Sequence, residues 1–361
     1  MDCLQANRFD EADTEKKFRC TFFAVMHIIK AKRGLEDYFD LNRRYMKTAD
    51  VILFADEKVV LDIVPRHYFA PISDRLLEIA FADAPLLRKN CRAEDIAVFL
   101  RPNESLILDG INREFTLTLK SLQDAGEILE RQRYIRLNHL IDSKFTNEKI
   151  LNILSLIADR ADDEIQKLVT DNADIPTIFE YVIGILWYKI SNRQGKILDY
   201  MKLSLDVDLL PKTHAAGGEA DIVYEYPKSA VYPAHSLLLE ATLSDRTNQR
   251  RMEMEPVSRH LGNHLLRTHN LNSYCVFATN ELNINVVSDF RGRKKQPYYD
   301  TADENNFIEG MKIIPLQIDD LKNIIRNQFN YAKLYQIFET AFQSELSPRE
   351  WRKICIVNEL G

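Results

Sequence analysis

The chain has 361 residues, a formal net charge of −6 at pH 7, 45% hydrophobic residues and 28% charged residues. This length predicts two or three domains, and the composition excludes a disordered, collagen-like or coiled-coil protein. No apolar run approaches the ~20 residues that span a bilayer, and the N-terminus lacks an apolar signal core, so we expect no membrane contact. The five cysteines show no Cys-x-x-Cys spacing, which favours a reducing cytoplasm over a disulfide-bonded or zinc-ribbon protein.

The first part of the chain has a helical pattern, in keeping with only 11 glycines overall. Its hydrophobic spacing predicts helices over 16–32, 116–142 and 147–169. Between the first two helices, residues 51–54 and 59–64 predict two short strands around a polar turn. Helices around a small hairpin are compatible with a winged helix, whereas the last two helices resemble a connector.

The sequence pattern changes near residues 174–176, where predicted strands begin to alternate with predicted helices. The predicted helices cover 177–191, 256–268 and 318–330. The predicted strands cover 221–226, 236–243, 272–278 and 312–316. This pattern is typical of an α/β (α+β) sandwich. The predicted domains are a mainly helical part over 1–115, a helical linker over 116–170 and an α/β domain over 171–361.

Glu240 interrupts the nearly continuous apolar run of strand 236–243, which is the pattern of a strand covered on both faces. A buried ionised carboxylate costs several kcal/mol unless it is paired or binds a cation. Alternation along the strand places Thr242 on the same face as Glu240. Two interpretations remain open, a metal ligand and a structural glutamate paired with a nearby arginine.

Two further acidic residues occupy unusual positions. Asp221 opens a strand directly after the adjacent glycines Gly217 and Gly218, which suits a metal ligand held by a tight turn or a turn-capping aspartate. Glu180 lies beside the apolar stripe of the helix over 177–191, and Gly184 one turn later leaves room over it. Glu180 is accordingly either a third functional acid or a solvent-facing helical residue.

The order of these elements reproduces the core of the PD-(D/E)XK nucleases. A helix with Glu180 is followed by a strand with Asp221, a strand with Glu240 and a second helix. Mg²⁺ prefers oxygen ligands and commonly takes one or two protein carboxylates. Adjacent strands would bring Asp221 and Glu240 within reach of one ion. By contrast, the sequence has no Gly-x-Gly-x-x-Gly, P-loop or Gly-x-Ser-x-Gly motif.

Three segments closely resemble the AlwI-type IIS restriction endonucleases and their nicking relatives. They are His214-Ala-Ala-Gly-Gly-Glu-Ala-Asp221, Leu237-Leu-Leu-Glu240-Ala-Thr-Leu243 and Gln249-Arg-Arg-Met-Glu253-Met-Glu-Pro-Val-Ser-Arg-His260-Leu261. The resemblance covers residues 174–330 well and is weaker around Leu41–Tyr45 and Leu61–Phe69. It implies that Asp221 and Glu240 bind the metal with Glu180. It also implies that Glu253 and His260 are auxiliary active-site residues.

Two features depart from the patterns of these groups. The lysine of the wider nuclease class is replaced by Thr242, as it is in the AlwI-like group, so another residue must stabilise charge or orient water. The candidates are Glu253, His260, Arg250 and Arg251. The chain also begins inside the recognition region of the generally longer family members, so we expect a fragment, a short homologue or a subunit that needs a partner.

Basic residues are concentrated in 241–300, with nine Lys and Arg against six Asp and Glu. The densest cluster contains Arg293, Lys294 and Lys295. These three residues, together with Arg250 and Arg251, are candidates for contacts with the DNA backbone, and the alternative for the cluster is a solvated loop. His260 and His264 lie one helical turn apart, but they lack the third ligand that a zinc site requires.

These observations predict a type IIS-like restriction endonuclease that hydrolyses double-stranded DNA with Mg²⁺. The resemblance also predicts a homodimer or a partner subunit for double-strand cleavage, and a companion methyltransferase. The alternatives are a non-catalytic DNA-binding or regulatory subunit and a repair or defence nuclease with the same core. We further expect residues 174–361 to fold alone, because they contain every proposed catalytic residue.

Overall fold

The computed structural model describes residues 15–29, 51–55, 58–79, 90–214, 220–244 and 248–361, with a few single residues between 34 and 42. The chain divides into two compact units. The smaller unit comprises residues 1–130 with 206–208, and the larger comprises 131–205 with 209–361. Among the described residues, no helix is both long enough and apolar enough to cross a membrane.

The smaller unit combines a hairpin with short helices. Strands β1 (Ile52–Ala55) and β2 (Lys58–Leu61) pair antiparallel, which confirms the predicted hairpin. The helices are α1 (Glu15–Ile29), α2 (Ile63–Phe69), α3 (Ser73–Ile79), α4 (Ala93–Ile96) and α5 (Glu104–Phe115), with 3₁₀ turns at Ala70–Ile72 and Val98–Leu100. The winged-helix arrangement stays a prediction.

Polar caps and a small apolar cluster organise the smaller unit. Asp62 caps α2 by accepting from the backbone N–H of Ile63 at 2.7 Å, and Asn103 caps α5. Ile107 and Ile111 of α5 form a small buried cluster with Ala125. The segment Leu41–Tyr45, where the family resemblance is weak, lies almost entirely outside the described residues.

Helix α6 (Gly126–Lys144) begins in the smaller unit, and the elements after it build the larger one. Its further helices are α7 (Asn147–Ala158), α8 (Asp162–Leu168), α9 (Ile175–Ile190), α10 (Ile197–Tyr200), α11 (Gln249–Met252), α12 (Met254–Thr268), α13 (Ile284–Arg293), α14 (Ile318–Arg326), α15 (Tyr331–Gln343), α16 (Pro348–Arg352) and α17 (Asn358–Leu360), with a π-helical turn at Lys353–Val357. The strands are β3 (Ser204–Leu205), β4 (Pro211–Thr213), β5 (Ile222–Tyr226), β6 (His235–Thr242), β7 (Tyr274–Thr279), β8 (Tyr298–Tyr299), β9 (Phe307–Ile308) and β10 (Ile313–Gln317).

A four-stranded mixed sheet in the order β10-β7-β6-β5 forms the centre of the larger unit. Strands β6, β7 and β10 run parallel, and β5 pairs antiparallel with β6 at the edge. The four strands predicted from the sequence are therefore confirmed, with ends shifted by one or two residues. The strands are rich in apolar residues because the central strands β6 and β7 are buried almost throughout.

The two faces of this sheet are covered by different helices. Ile222, Leu237 and Leu239 join the large core cluster that includes α9. Leu238, one residue out of phase, joins a second cluster with Leu261 of α12. Since side chains alternate along a strand, β5 and β6 present one set of residues to α9 and the other set to α12.

The segment predicted to be a linker contributes to the core of the larger unit. Phe145, Ile150 and Leu154 are fully buried in the large core cluster. Helix α7 is capped by Thr146, and the predicted single helix over 147–169 is divided where Arg160 adopts a positive φ of 57°. The sequence pattern predicts no element after residue 330, whereas in the structure α15 to α17 complete the same core.

Candidate active site

Strands β5 and β6 bring two acidic side chains together at one end of their pairing. Ile222 pairs with Leu239, so the same antiparallel register places Asp221 opposite Glu240. The Oδ2 atom of Asp221 accepts a hydrogen bond at 2.8 Å from the backbone N–H of Ala241. This bond ties the start of β5 to β6 beside Glu240, which is only 8% exposed.

Burial and neighbouring carboxylates raise the pKa of both acids. Burial, with the nearby charge of Glu240, raises the pKa of Asp221 to about 7. Burial and the charge of Glu253 raise the pKa of Glu240 well above its usual value. Two buried carboxylates at this spacing repel each other unless a proton or a cation lies between them. The pair therefore fits a hard divalent cation, which takes oxygen ligands.

Helix α12 supplies a histidine to this pair. The Nδ1 atom of His260 lies 2.7 Å from Oε1 of Glu240, so an Nδ1–H donates to that carboxylate. Both side chains are about nine-tenths buried, with exposures of 11% and 10%. This contact confirms that the structure brings His260 to Glu240, although they are 20 residues apart in the chain.

Glu253 precedes α12 and lies next to the position where the wider nuclease class has lysine. The hydroxyl of Thr242 donates to Oε1 of Glu253 at 2.8 Å and accepts from the backbone N–H of Ser244 at 3.1 Å. The carboxylate of Glu253 also contributes to the raised pKa values of Asp221 and Glu240. Glu253 is thus a third acid at the site, held by Thr242.

Glu180 belongs to a different element from the strand acids. It is buried on α9, the helix that packs against the sheet face opposite to α12. The sequence predicts open space over Glu180 at Gly184, and the structure shows that the space at Gly184 is filled. A side chain at Gly184 would meet Sδ of Met201 at 2.7 Å and Cδ1 of Ile222 at 3.1 Å, so the glycine instead lets α9 approach the sheet closely. Metal binding by Glu180 stays a prediction.

The basic candidates have neighbours that the sequence did not reveal. Nε of Arg293 donates to Asp289 at 3.2 Å, and Lys294 and Lys295 form ion pairs with Glu345 at 3.2 and 2.5 Å. Pairs that are open to solvent, such as Lys295 with Glu345, contribute little to stability. Their contact with DNA stays a prediction.

Some sequence candidates lie outside the described residues. The glycine pair Gly217–Gly218 belongs to the segment 215–219, which the structure does not describe. The same holds for the side chains of Arg250 and Arg251. Within the described part of the chain, no three His, Cys, Asp or Glu side chains are grouped as metal ligands.

Gln249 is a positioning residue that the sequence analysis missed. It is fully buried, and its amide nitrogen donates to Oγ1 of Thr279 at 3.1 Å and to the carbonyl of Glu281 at 2.8 Å. Its amide oxygen accepts from the backbone N–H of Asn283 at 2.9 Å. These bonds anchor α11 to the end of β7, and the backbone N–H of Glu253 donates to the carbonyl of Gln249. A single glutamine in a polar segment gives no signal of this role.

The larger unit has a mixed sheet between helices, so the protein is of the α/β class. The paired acids and the histidine at one end of two strands form a candidate cation-dependent site. The sequence matches the AlwI restriction endonuclease family over residues 2–324, so the chain belongs to this family. Membership indicates a nuclease that acts on DNA, and it confirms the resemblance inferred from the motifs.

No curated protein matches the chain. Among solved structures, it is similar to the small subunit (R.BspD6I2) of the heterodimeric restriction endonuclease R.BspD6I. The sequence identity is 21% and the TM-score is 0.41, and the match covers 57% of this chain and 98% of that chain.

Proposed function

We propose that the chain is a Mg²⁺-dependent, type IIS-like restriction endonuclease of the PD-(D/E)XK class. It hydrolyses phosphodiester bonds of double-stranded DNA near a recognition sequence. The observation that carries this proposal is the pair of Asp221, which is partly exposed, and Glu240, which is buried, on adjacent strands. Maintaining two such carboxylates costs stability, and a family of nucleases has a direct use for them.

Asp221 and Glu240 would hold the ion, with Glu180 as the further acid of the family pattern. When bound, Mg²⁺ supplies Lewis-acid polarisation of the phosphodiester and lowers the pKa of the attacking water. Donation from the Nδ1–H of His260 fixes one oxygen of Glu240, which would leave the other oxygen free to hold the ion. Glu253, with its Oε1 held by Thr242, can accept a proton from water at its second oxygen.

The decisive experiment is plasmid cleavage with and without Mg²⁺ by the wild-type chain and the variants Asp221→Asn and Glu240→Gln. Each substitution keeps the shape of a ligand and removes its charge. We expect a loss of about a thousandfold or more, since the ion's stabilisation of the transition state is worth several kcal/mol. Exposed Glu304→Gln is the matched control and should cleave like wild type.

DNA binding separates catalysis from folding in the same experiment. Both active-site variants should bind DNA at least as tightly as wild type in EDTA, because the carboxylates repel phosphate when no cation is present. Retention of more than a tenth of the wild-type rate by either variant contradicts the assignment. Binding without any Mg²⁺-dependent cleavage by wild type would instead favour a non-catalytic DNA-binding subunit.

The distribution of cut ends tests the type IIS character. A fixed distance between a short sequence and the cut is expected for a restriction enzyme, whereas scattered cuts would favour a repair or defence nuclease. We also propose a second copy or a partner subunit for double-strand cleavage, and a companion methyltransferase. Nicked products from a single chain, converted to double-strand breaks at higher protein concentration, would support the second copy.

A further inference from the structure

A cavity of about 550 Å³ lies between the edge strand β5 and helix α12 in the larger unit. Val223 and Leu238 form part of its lining, and His260 lines it from α12. Because His260 also contacts Glu240, the cavity adjoins the proposed catalytic site. Its size is within the range of ordinary ligand sites.

Lys202 enters this cavity at the end near Asp221. Its backbone N–H donates to the carbonyl of Asp221 at 2.9 Å, and the preceding Met201 forms an antiparallel bridge with Ile222. Met201 faces α9, since its Sδ atom lies next to Gly184. Alternation therefore places Lys202 on the α12 face, as a cross-strand neighbour of Asp221.

A second cation lines the cavity further along α12. Arg267 follows His260 by seven residues, which places it about 10 Å away along the helix axis. Neither Lys202 nor Arg267 forms an ion pair with a residue that the structure describes. Two cations that have no ion-pair partner within the described part of the chain, one near each end of a groove, suit an anionic polymer.

Two acidic residues, Glu225 and Asp199, also line the cavity and change the net charge along the groove. Glu225 lines the cavity four residues after Asp221 on the same face, about 13 Å further along β5. The hydroxyl of Ser236 donates to its carboxylate at 3.0 Å. The second acid, Asp199, is exposed to solvent. Glu225 therefore offsets part of the attraction of Arg267 for phosphate.

We propose that this groove binds the backbone of one DNA strand next to the scissile bond, with Lys202 contacting the phosphate nearest to the site and Arg267 a phosphate further along. This inference rests on the proposed function for the position of the cut. It also assigns to Lys202 a positive charge beside Asp221, in a class of site where Thr242 replaces the usual lysine.

The first test is the salt dependence of DNA binding by the full chain in EDTA, with Lys202→Ala, Arg267→Ala and Glu225→Gln. Each lost phosphate contact lowers the slope of log K against log salt by about one. We expect that change for Lys202→Ala, a smaller one for Arg267→Ala, and tighter binding for Glu225→Gln. The opposite sign of the last variant excludes a general loss of folding.

The matched control is Lys228→Ala, which removes an exposed lysine outside the cavity and should keep the wild-type slope. A Lys202→Ala slope equal to that of Lys228→Ala overturns the proposal. Competition by a deoxynucleoside monophosphate in wild type, without any change of DNA slope in the variants, would overturn it in favour of a free nucleotide.

The second test uses a duplex whose cut position has been mapped with wild type. Single phosphates beside the cut are replaced by neutral methylphosphonates. Replacement of one flanking phosphate should lower the affinity of wild type for DNA. The same replacement should cause no loss of affinity in Lys202→Ala, which lacks the side chain that contacts this phosphate. Equal losses in both proteins would refute the contact. Because binding is measured without Mg²⁺, failure of hydrolysis and failure of this groove are separate results.

Discussion

The two faces of the central sheet differ in what they bury. Towards α9, side chains such as Ile222, Leu237 and Leu239 form a continuous apolar core with almost no exposure. Towards α12, the same strands present Asp221 and Glu240 beside a smaller cluster. Paired carboxylates that are removed from water destabilise a fold. The apolar packing on the α9 face therefore offsets the destabilisation that the acids cause on the α12 face.

The largest expected effect concerns the helices that complete the α9 face. Residues 174–361 alone lack Phe145, Ile150 and Leu154, each fully buried in the large cluster. Each such side chain contributes about 1.5–3 kcal/mol, against a total stability of about 5–15 kcal/mol. We therefore expect 174–361 not to fold cooperatively, contrary to the expectation from sequence, and 131–361 to fold.

Thermal unfolding followed by circular dichroism measures this difference. The fragment 131–361 is the matched control, because it contains the whole larger unit together with the three residues 206–208. Equal melting temperatures for the two fragments would show that α6 to α8 are dispensable, and the sequence-based boundary would then be right.

The next effect tests the close approach of α9 to the sheet. Gly184→Val places methyl groups where Met201 and Ile222 already lie. Overpacking of this kind costs about 1–3 kcal/mol. Gly292→Val adds the same group at a helix position where an added Cβ meets only the side-chain nitrogen of Gln296, at 3.7 Å. Denaturant unfolding should show a loss only for Gly184→Val, because the small gain in helix propensity on replacing glycine is common to both variants.

A smaller effect is expected on the α12 face, where the cleavage rate reports it. Thr242→Val removes the donor that holds Glu253. A hydrogen bond to a charged group is worth about 1.5–3 kcal/mol, so we expect cleavage to fall by at least tenfold. Thr242→Ser keeps the hydroxyl and should retain most of the wild-type rate. Single-turnover cleavage measures both, and equal rates for Val and Ser would remove Thr242 from the site.

The smallest effect concerns the basic cluster outside both faces. Replacement of Arg293, Lys294 and Lys295 by Ala should weaken binding to all DNA sequences alike and reduce the salt slope. The reduction should be less than one per residue, because Asp289 and Glu345 already neutralise these cations in part. Glu345→Gln should act in the opposite direction. An unchanged slope in the triple variant would identify a solvated loop.

Much of the α/β half could be predicted from sequence because its signals are local. The apolar runs of β6 and β7 are typical of covered strands, and the helical spacing of α9 and α12 is regular. The helices of 147–169 were misjudged as part of a connector for a physical reason. Their charged faces are visible in the sequence, but the partner that buries Ile150 and Leu154 is not.

The sequence by itself determined the family, the order of the elements and the chemical type of the site residues. Motif identity and the period of hydrophobicity depend only on neighbours along the chain. Tertiary structure alone decided that His260 contacts Glu240, that Thr242 holds Glu253 and that Glu180 lies on a helix of the opposite face. It also decided that Lys202 lies beside Asp221. Strand register and helix packing set these contacts, and they join residues that no local pattern connects.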